Sequence, residues 1–241
     1  MKDLGELRYV LGMTVERNRE KRSLFLSQEL YISNLLATFG MQDCKSASTP
    51  QVPGSRLLPR ADTNAPAALI NYWCAIGLLN YLVTCTRPDL AYSASCLAQF
   101  LNDPSSENEA AFKHVLRYLS GTQTWGISLG PFQAVVSSFM AWWGGKLPNR
   151  MLFLSPQLKR NTDVKAKLLC DNQGAIALLK NPLYQHRTRH IKLRLHWCRQ
   201  LLNEGDISME YVATNLMVAD VLTKGLSGVL HQTHCAALFI L

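Results

Sequence analysis

The sequence predicts a mixed α/β (α+β) protein, with a β-hairpin and a group of helices in its first half and a small mixed sheet with helices in its second. Three observations carry this. Residues 7–28, LRYVLGMTVERNREKRSLFLSQ, hold two β-branched and aromatic runs around a charged turn, the pattern of a hairpin. Three stretches between Ser27 and Thr122 then repeat apolar residues at helical spacing. Finally, the apolar run Val164–Cys170 ends at Asp171 and leads through a turn into a further helix, with a second strand, ISMEYVA, at 207–213.

The elements follow in order. In SQELYISNLLATFGM, Leu30, Ile32, Leu35, Leu36 and Phe39 share a helical face, and Gly40 stands where a left-handed closing residue belongs. A loop rich in Ser, Thr, Pro and Gly runs from Asp43 to about Pro66. Ala67 to Asn102 reads as two helices meeting at TCTRPDLAYS, where Thr86 is expected to cap and Pro88 to sit in a first turn. SSENEAAFKHVLRYLSGT is a third helix, opened by Ser105 or Ser106 and closed by Gly121. Its Lys113, His114 and Arg117 form a basic face that suits a nucleic-acid backbone, or equally a solvated surface.

Residues 131–163 break the pattern. They keep no period of 2 or 3.6, and no Asp or Glu occurs from Ala110 through Thr162. Order resumes with the strand ending at Asp171. Helices are expected over about Gln173–Lys180 and His190–Asn203, then the strand ISMEYVA and a short helix in NLMVADVLTKGL. Residues 227–241 read as a tail, in which His231, His234 and Cys235 stand close together without a further metal ligand in view.

Composition narrows the class. With 241 residues and 48% hydrophobic content the chain can bury real cores, and a net charge of +8 favours a polyanionic partner. Seven scattered cysteines with no C-x-x-C pair point to reduced thiols inside a cell. The longest apolar stretch, Trp73–Val83, is broken by Asn80 and too short to span a bilayer, so a soluble intracellular chain is expected, with no membrane partner and no small-molecule substrate.

Several blocks carry a family resemblance. MKDLGELRYVLGMTVER, LFLSQELYISNLL, FGMQDCKSASTP, AIGLLNYLVTCTRPDLAYS and AFKHVLRYLSGT resemble the end of the reverse transcriptase of a copia-type retrotransposon Pol polyprotein, with its thumb-like helices and its link to the ribonuclease H. CDNQGAIALLKNPLYQHRTRHIKLRLHWCRQLLNEGDISMEYVATNLMVADVLTKGL resembles the second half of that ribonuclease H. The resemblance covers residues 1–130 and 164–226. It implies thumb-like helices followed by an incomplete ribonuclease H-like mixed sheet, an aberrant segment at 131–163, and a partner in RNA–DNA hybrid.

The resemblance also assigns roles. Family members hold two Mg²⁺ ions with four carboxylates, and Asp171 matches the third while Asp220 matches the fourth. Two divalent cations about 3.5–4 Å apart repel one another and need several shared oxygen ligands before they can activate a water. An acid after a strand is also the ordinary helix-capping residue, so Asp171 alone establishes nothing. Arg187, Arg189 and His190, with His196, match a basic run on the family's substrate side, or form a basic helix face.

Two of the four acids are missing. The family carries them in a Y-S-D-A-D-W type run and an S-T-A-E-A-E-Y type run, neither of which is present. Read one nucleotide late with suitable synonymous codons, S-L-S-T-A-E-A-E-Y becomes LSPQLKRNT, the sequence at Leu154–Thr162, so an out-of-frame segment is expected there. The polymerase Asp pair, in a Y-V-D-D type motif, is absent too. The expectation is a catalytically inactive fragment, with no productively bound Mg²⁺ and residual nucleic-acid affinity. The other readings are a host-recruited binding module and a ribonuclease H completed in trans. Loss of the first strands is expected to leave the sheet edge at 165–170 without partners.

Overall fold

The computed structural model describes residues 5–58, 70–130, 151–154, 166–180, 199–205, 207–238 and 240. The chain divides into two compact units, one made of Met1–Gly130 with Val221–Leu241 and the other of Pro131–Asp220.

The first unit opens with an antiparallel sheet. Strands β1 (Tyr9–Val10), β2 (Met13–Asn18) and β3 (Ser23–Ser27) lie in sequence order, and β4 (Gly126–Leu129) closes the far edge beside β3. The β2–β3 register runs from Thr14 opposite Ser27 to Asn18 opposite Ser23. The Asn18 side chain accepts from the Lys21 N–H at 2.9 Å, and Arg22 takes the left-handed conformation that reverses the chain. Strand β4 pairs Gly126 with Ser27 and Leu129 with Leu24. A Cβ on Gly126 would overlap the Leu26 carbonyl and meet the Phe25 ring, so only glycine permits this close pairing.

Helices α1 (Glu29–Thr38), α2 (Tyr72–Cys85), α3 (Ala91–Ala98) and α4 (Ser106–Gly121) supply the core. Gly40, at φ 62°, ends α1 as expected: its N–H reaches the Ala37 carbonyl and the Met41 N–H reaches Leu36, the paired bonds of a left-handed closing motif. Ser105 opens α4 with a capping box, its hydroxyl accepting from the Asn108 N–H while the Asn108 side chain accepts from the Ser105 N–H. Phe112, Val115, Leu116 and Leu119 of α4 form one buried stripe against Ile32 and Leu36 of α1 and Ile76, Leu79 and Leu82 of α2. Each such side chain contributes about 1.5–3 kcal/mol by leaving water.

The corner between α2 and α3 differs from expectation. A short 3₁₀ turn, Pro88–Leu90, links the helices, and Thr86 does not cap it. The Thr86 hydroxyl instead donates to the buried Gln28 side chain at 2.7 Å, so it ties the corner to the end of β3. The expected tail contains a further helix, Gly228–Ala237, whose His231, His234 and Cys235 are buried.

The second unit contains a three-stranded sheet in the order β5 (Met151–Leu154), β6 (Ala166–Cys170), β7 (Ile207–Tyr211). Strand β6 pairs antiparallel with β5, Met151 opposite Cys170, and parallel with β7, Ala166 opposite Ile207. The edge expected to lack a partner is therefore paired, by residues from the segment that showed no periodicity. Four residues suffice for this because backbone pairing needs an extended chain and no particular side-chain period. Helix α5 (Gln173–Lys180) follows β6, and Gly228–Ala237 of the first unit is α6. Residues 199–204 are helical, and Arg199 donates to the Leu178 and Leu179 carbonyls at 2.6 and 3.3 Å, satisfying the end of α5.

Candidate nucleic-acid interface and carboxylate site

Asp171 lies directly after β6 and is half-buried. The capping role open to it falls to its neighbour. Asn172 accepts the Ala175 N–H on its side-chain oxygen at 3.0 Å, and its carbonyl receives the Ile176 N–H. Asp171 thus stands at the strand end without serving as the N-cap of α5.

Asp220 is only 4% exposed, in the 3₁₀ segment Val218–Leu222, between the buried Ala219 and Val221. Among the described residues no group of three or more His, Cys, Asp and Glu side chains could hold a metal ion.

Lys113 and Arg117 lie one turn apart on α4, and both are engaged. The Lys113 ammonium, 49% exposed, pairs with Glu109 at 2.7 Å. Arg117 donates through Nε to the Lys45 carbonyl at 2.8 Å, while its own carbonyl accepts the Ala47 N–H at 3.1 Å. His114 Nε2 lies 3.1 Å from the Thr49 carbonyl. Burial pushes the His114 ring below the usual histidine range, the Thr49 contact opposing and the Arg117 charge adding to the effect. Part of this basic face therefore holds the 45–49 loop against α4. Arg187, Arg189, His190 and His196 lie outside the described residues.

The least anticipated chemistry is buried in the first unit. The Arg87 guanidinium forks onto Asp89, Nε to Oδ1 at 3.0 Å and Nη2 to Oδ2 at 2.8 Å, with both side chains wholly inaccessible. It also donates to the Thr122 carbonyl and hydroxyl, each at 2.8 Å, and lies 5.4 and 5.7 Å from the Tyr118 and Trp125 ring centres. Tyr118 donates its hydroxyl to Asp89 Oδ2 at 2.7 Å. Burial alone would push the Asp89 carboxyl up, but the guanidinium and the phenol outweigh it and hold the group below the usual carboxylate range. The sequence signal was the TRPD stretch itself: an Arg and an Asp two apart at a helix corner otherwise rich in apolar residues. The fully satisfied network fixes the corner between α2, α3 and α4 and leaves no polar atom of the pair facing water.

Over nearly its whole length the chain is similar to retrovirus-related Pol polyproteins of copia-type transposons. It is 31% identical to the Retrovirus-related Pol polyprotein from transposon TNT 1-94 of Nicotiana tabacum, over 93% of this chain and 21% of that one. It is 30% identical to that from transposon RE1 of Arabidopsis thaliana, over 94% and 18%. An Uncharacterized mitochondrial protein AtMg00810 of Arabidopsis thaliana is 37% identical over 51% of this chain and 49% of its own. The chain thus spans about a fifth of the length of the Pol polyproteins it matches. No family model and no solved structure matches it. The two Pol alignments run over 275 positions, more than the 241 residues of this chain, so these relatives carry internal residues that it lacks.

Proposed function

We propose that the chain is a non-catalytic relic or derivative of a copia-type Pol polyprotein, retaining the module that ends a reverse transcriptase and the second half of a ribonuclease H. What remains to it is weak, salt-sensitive affinity for nucleic acid, RNA–DNA hybrid among them. One observation carries the loss of catalysis: no Asp or Glu occurs from Ala110 through Thr162, the interval in which the family's first two metal-binding acids fall. The relatives' extra internal residues support the same reading. Two carboxylates cannot bridge two mutually repelling divalent cations, so Asp171 and Asp220 persist as ancestral ligands without a metal pair.

Binding, by contrast, needs only charge. The net charge of +8 supplies it, and each phosphate contact formed releases counterions, so affinity falls steeply with salt. Fluorescence anisotropy with a labelled RNA–DNA hybrid across a salt series tests this. Lys113→Gln is expected to weaken binding of all sequences alike and to reduce the salt slope by about one. Absence of binding at low salt, or binding indifferent to salt, would remove the proposal's second half.

A further inference from the structure

The first unit is assembled from two stretches of chain, Met1–Gly130 and Val221–Leu241, with residues 131–220 between them in sequence. The second stretch is deeply embedded. His231, His234, Cys235 and Leu238 are at most 7% exposed, and Ile240 is fully buried. Their neighbours come from several elements of the first stretch. The His231 ring meets the Tyr118 ring edge-on, 5.4 Å between centres. Ile240 forms a β-bridge with Ile127 of β4. A Cβ on Gly228 would lie 3.3 Å from the Ser48 hydroxyl, and one on Gly225 would lie 3.4 Å from the Tyr92 ring, so the lead into α6 runs close over the 48–49 loop and α3.

Both chemistry and shape select this segment. At the centre of the surface lies the Arg87–Asp89 pair with Tyr118, which calls for neutral polar neighbours. His231 and Cys235, one helical turn apart and 3.5 Å from Sγ to Nδ1, supply them. Around that centre the contacts are apolar, through Leu238 and Ile240. No disulfide joins the two stretches, for Cys235 is a free thiol.

We infer that the 1–130 stretch carries a docking site for the chain's own segment 221–240, and that the two remain associated as separate pieces when the chain is cut between them. A chain nicked in the intervening stretch would keep its first unit whole.

The test uses the full chain with recognition sequences for a site-specific protease inserted after Gly130 and after Gly205. The chain is cut under native conditions, passed over a size-exclusion column and weighed by intact mass. The 1–130 and 206–241 pieces are expected to co-elute. Cys235→Glu, which places a carboxylate beside the buried Asp89, is expected to reduce the retained piece at least about tenfold. Val229→Glu, on the face of α6 that is 81% exposed at that residue, is expected to retain it as the parent does. Separation of the parent pieces, or equal retention in the Cys235→Glu chain, would overturn the inference. Hydrogen exchange on the uncut parent guards against a variant that fails to fold: amides of 231–238 that exchange as freely as an unstructured peptide would overturn it as well.

Discussion

Replacing Asp89 by Asn keeps the size of the side chain and removes its charge. In the folded protein Arg87 then remains wholly buried, with Thr122 and one amide oxygen as acceptors and no counter-charge. Removing one partner of a buried ion pair costs about 3–5 kcal/mol, because the survivor's desolvation is no longer offset. Set against a typical domain stability of about 5–15 kcal/mol, that is a large share. Tyr118→Phe deletes only the donor to Asp89 Oδ2 and should cost about 1.5–3 kcal/mol, the range for a hydrogen bond to a charged group. Since the two changes act on one network, the double variant should be less destabilised than the sum, with a coupling of about 0.5–3 kcal/mol. Urea unfolding followed by tryptophan fluorescence reads this, Trp125 lying against the Arg87 guanidinium. A loss below about 1 kcal/mol for Asp89→Asn, or strict additivity with Tyr118→Phe, would refute the view that this buried pair organises the first unit.

Three further outcomes follow from single residues. Burial depresses the His231 ring below the usual histidine range, with Asp89 opposing in part and Arg87 and His234 adding to it. A folded value below the unfolded one, about 6.5, means full stability above that pH and a loss as pH falls below it, because the unfolded chain takes up the proton first. The urea midpoint should therefore drop between pH 7.5 and 5.5, and His231→Gln should flatten that drop relative to the parent. Gly126→Ala should cost about 1–3 kcal/mol or more, since its methyl would press on the Leu26 carbonyl of the paired strand; loss of amide protection in β3 and β4 by hydrogen exchange would show it. Ser105→Ala should cost about 1 kcal/mol by opening the capping box of α4, read from the thermal unfolding midpoint.

The sequence made legible whatever rests on period and punctuation. Helices α1 and α4 declared themselves through their apolar stripes, Gly40 and Ser105, and α5 through its spacing after Asp171. Strand β4 escaped because four residues show too little alternation to separate a strand from a loop. Strand β5 escaped because its pairing with β6 rests on backbone hydrogen bonds that no side-chain period announces. Thr86 looked like a cap from its place before Pro88, but a tertiary partner, Gln28, claimed its hydroxyl. Of the candidate site, the sequence pointed to Asp171 and to the basic face of α4, but not to the contacts that occupy Lys113 and Arg117. Nor could it show that the Arg87–Asp89 pair meets Tyr118 and His231, both distant along the chain, in one buried network.

The claim that the carboxylate set no longer supports catalysis is tested most directly by incubating the purified, folded chain with a labelled RNA–DNA hybrid and Mg²⁺ or Mn²⁺, beside an Asp171→Asn control. The account predicts no cleavage of the RNA strand by either protein. Cleavage by the parent that disappears in Asp171→Asn would contradict it, and would mean that other residues complete a working metal site around Asp171.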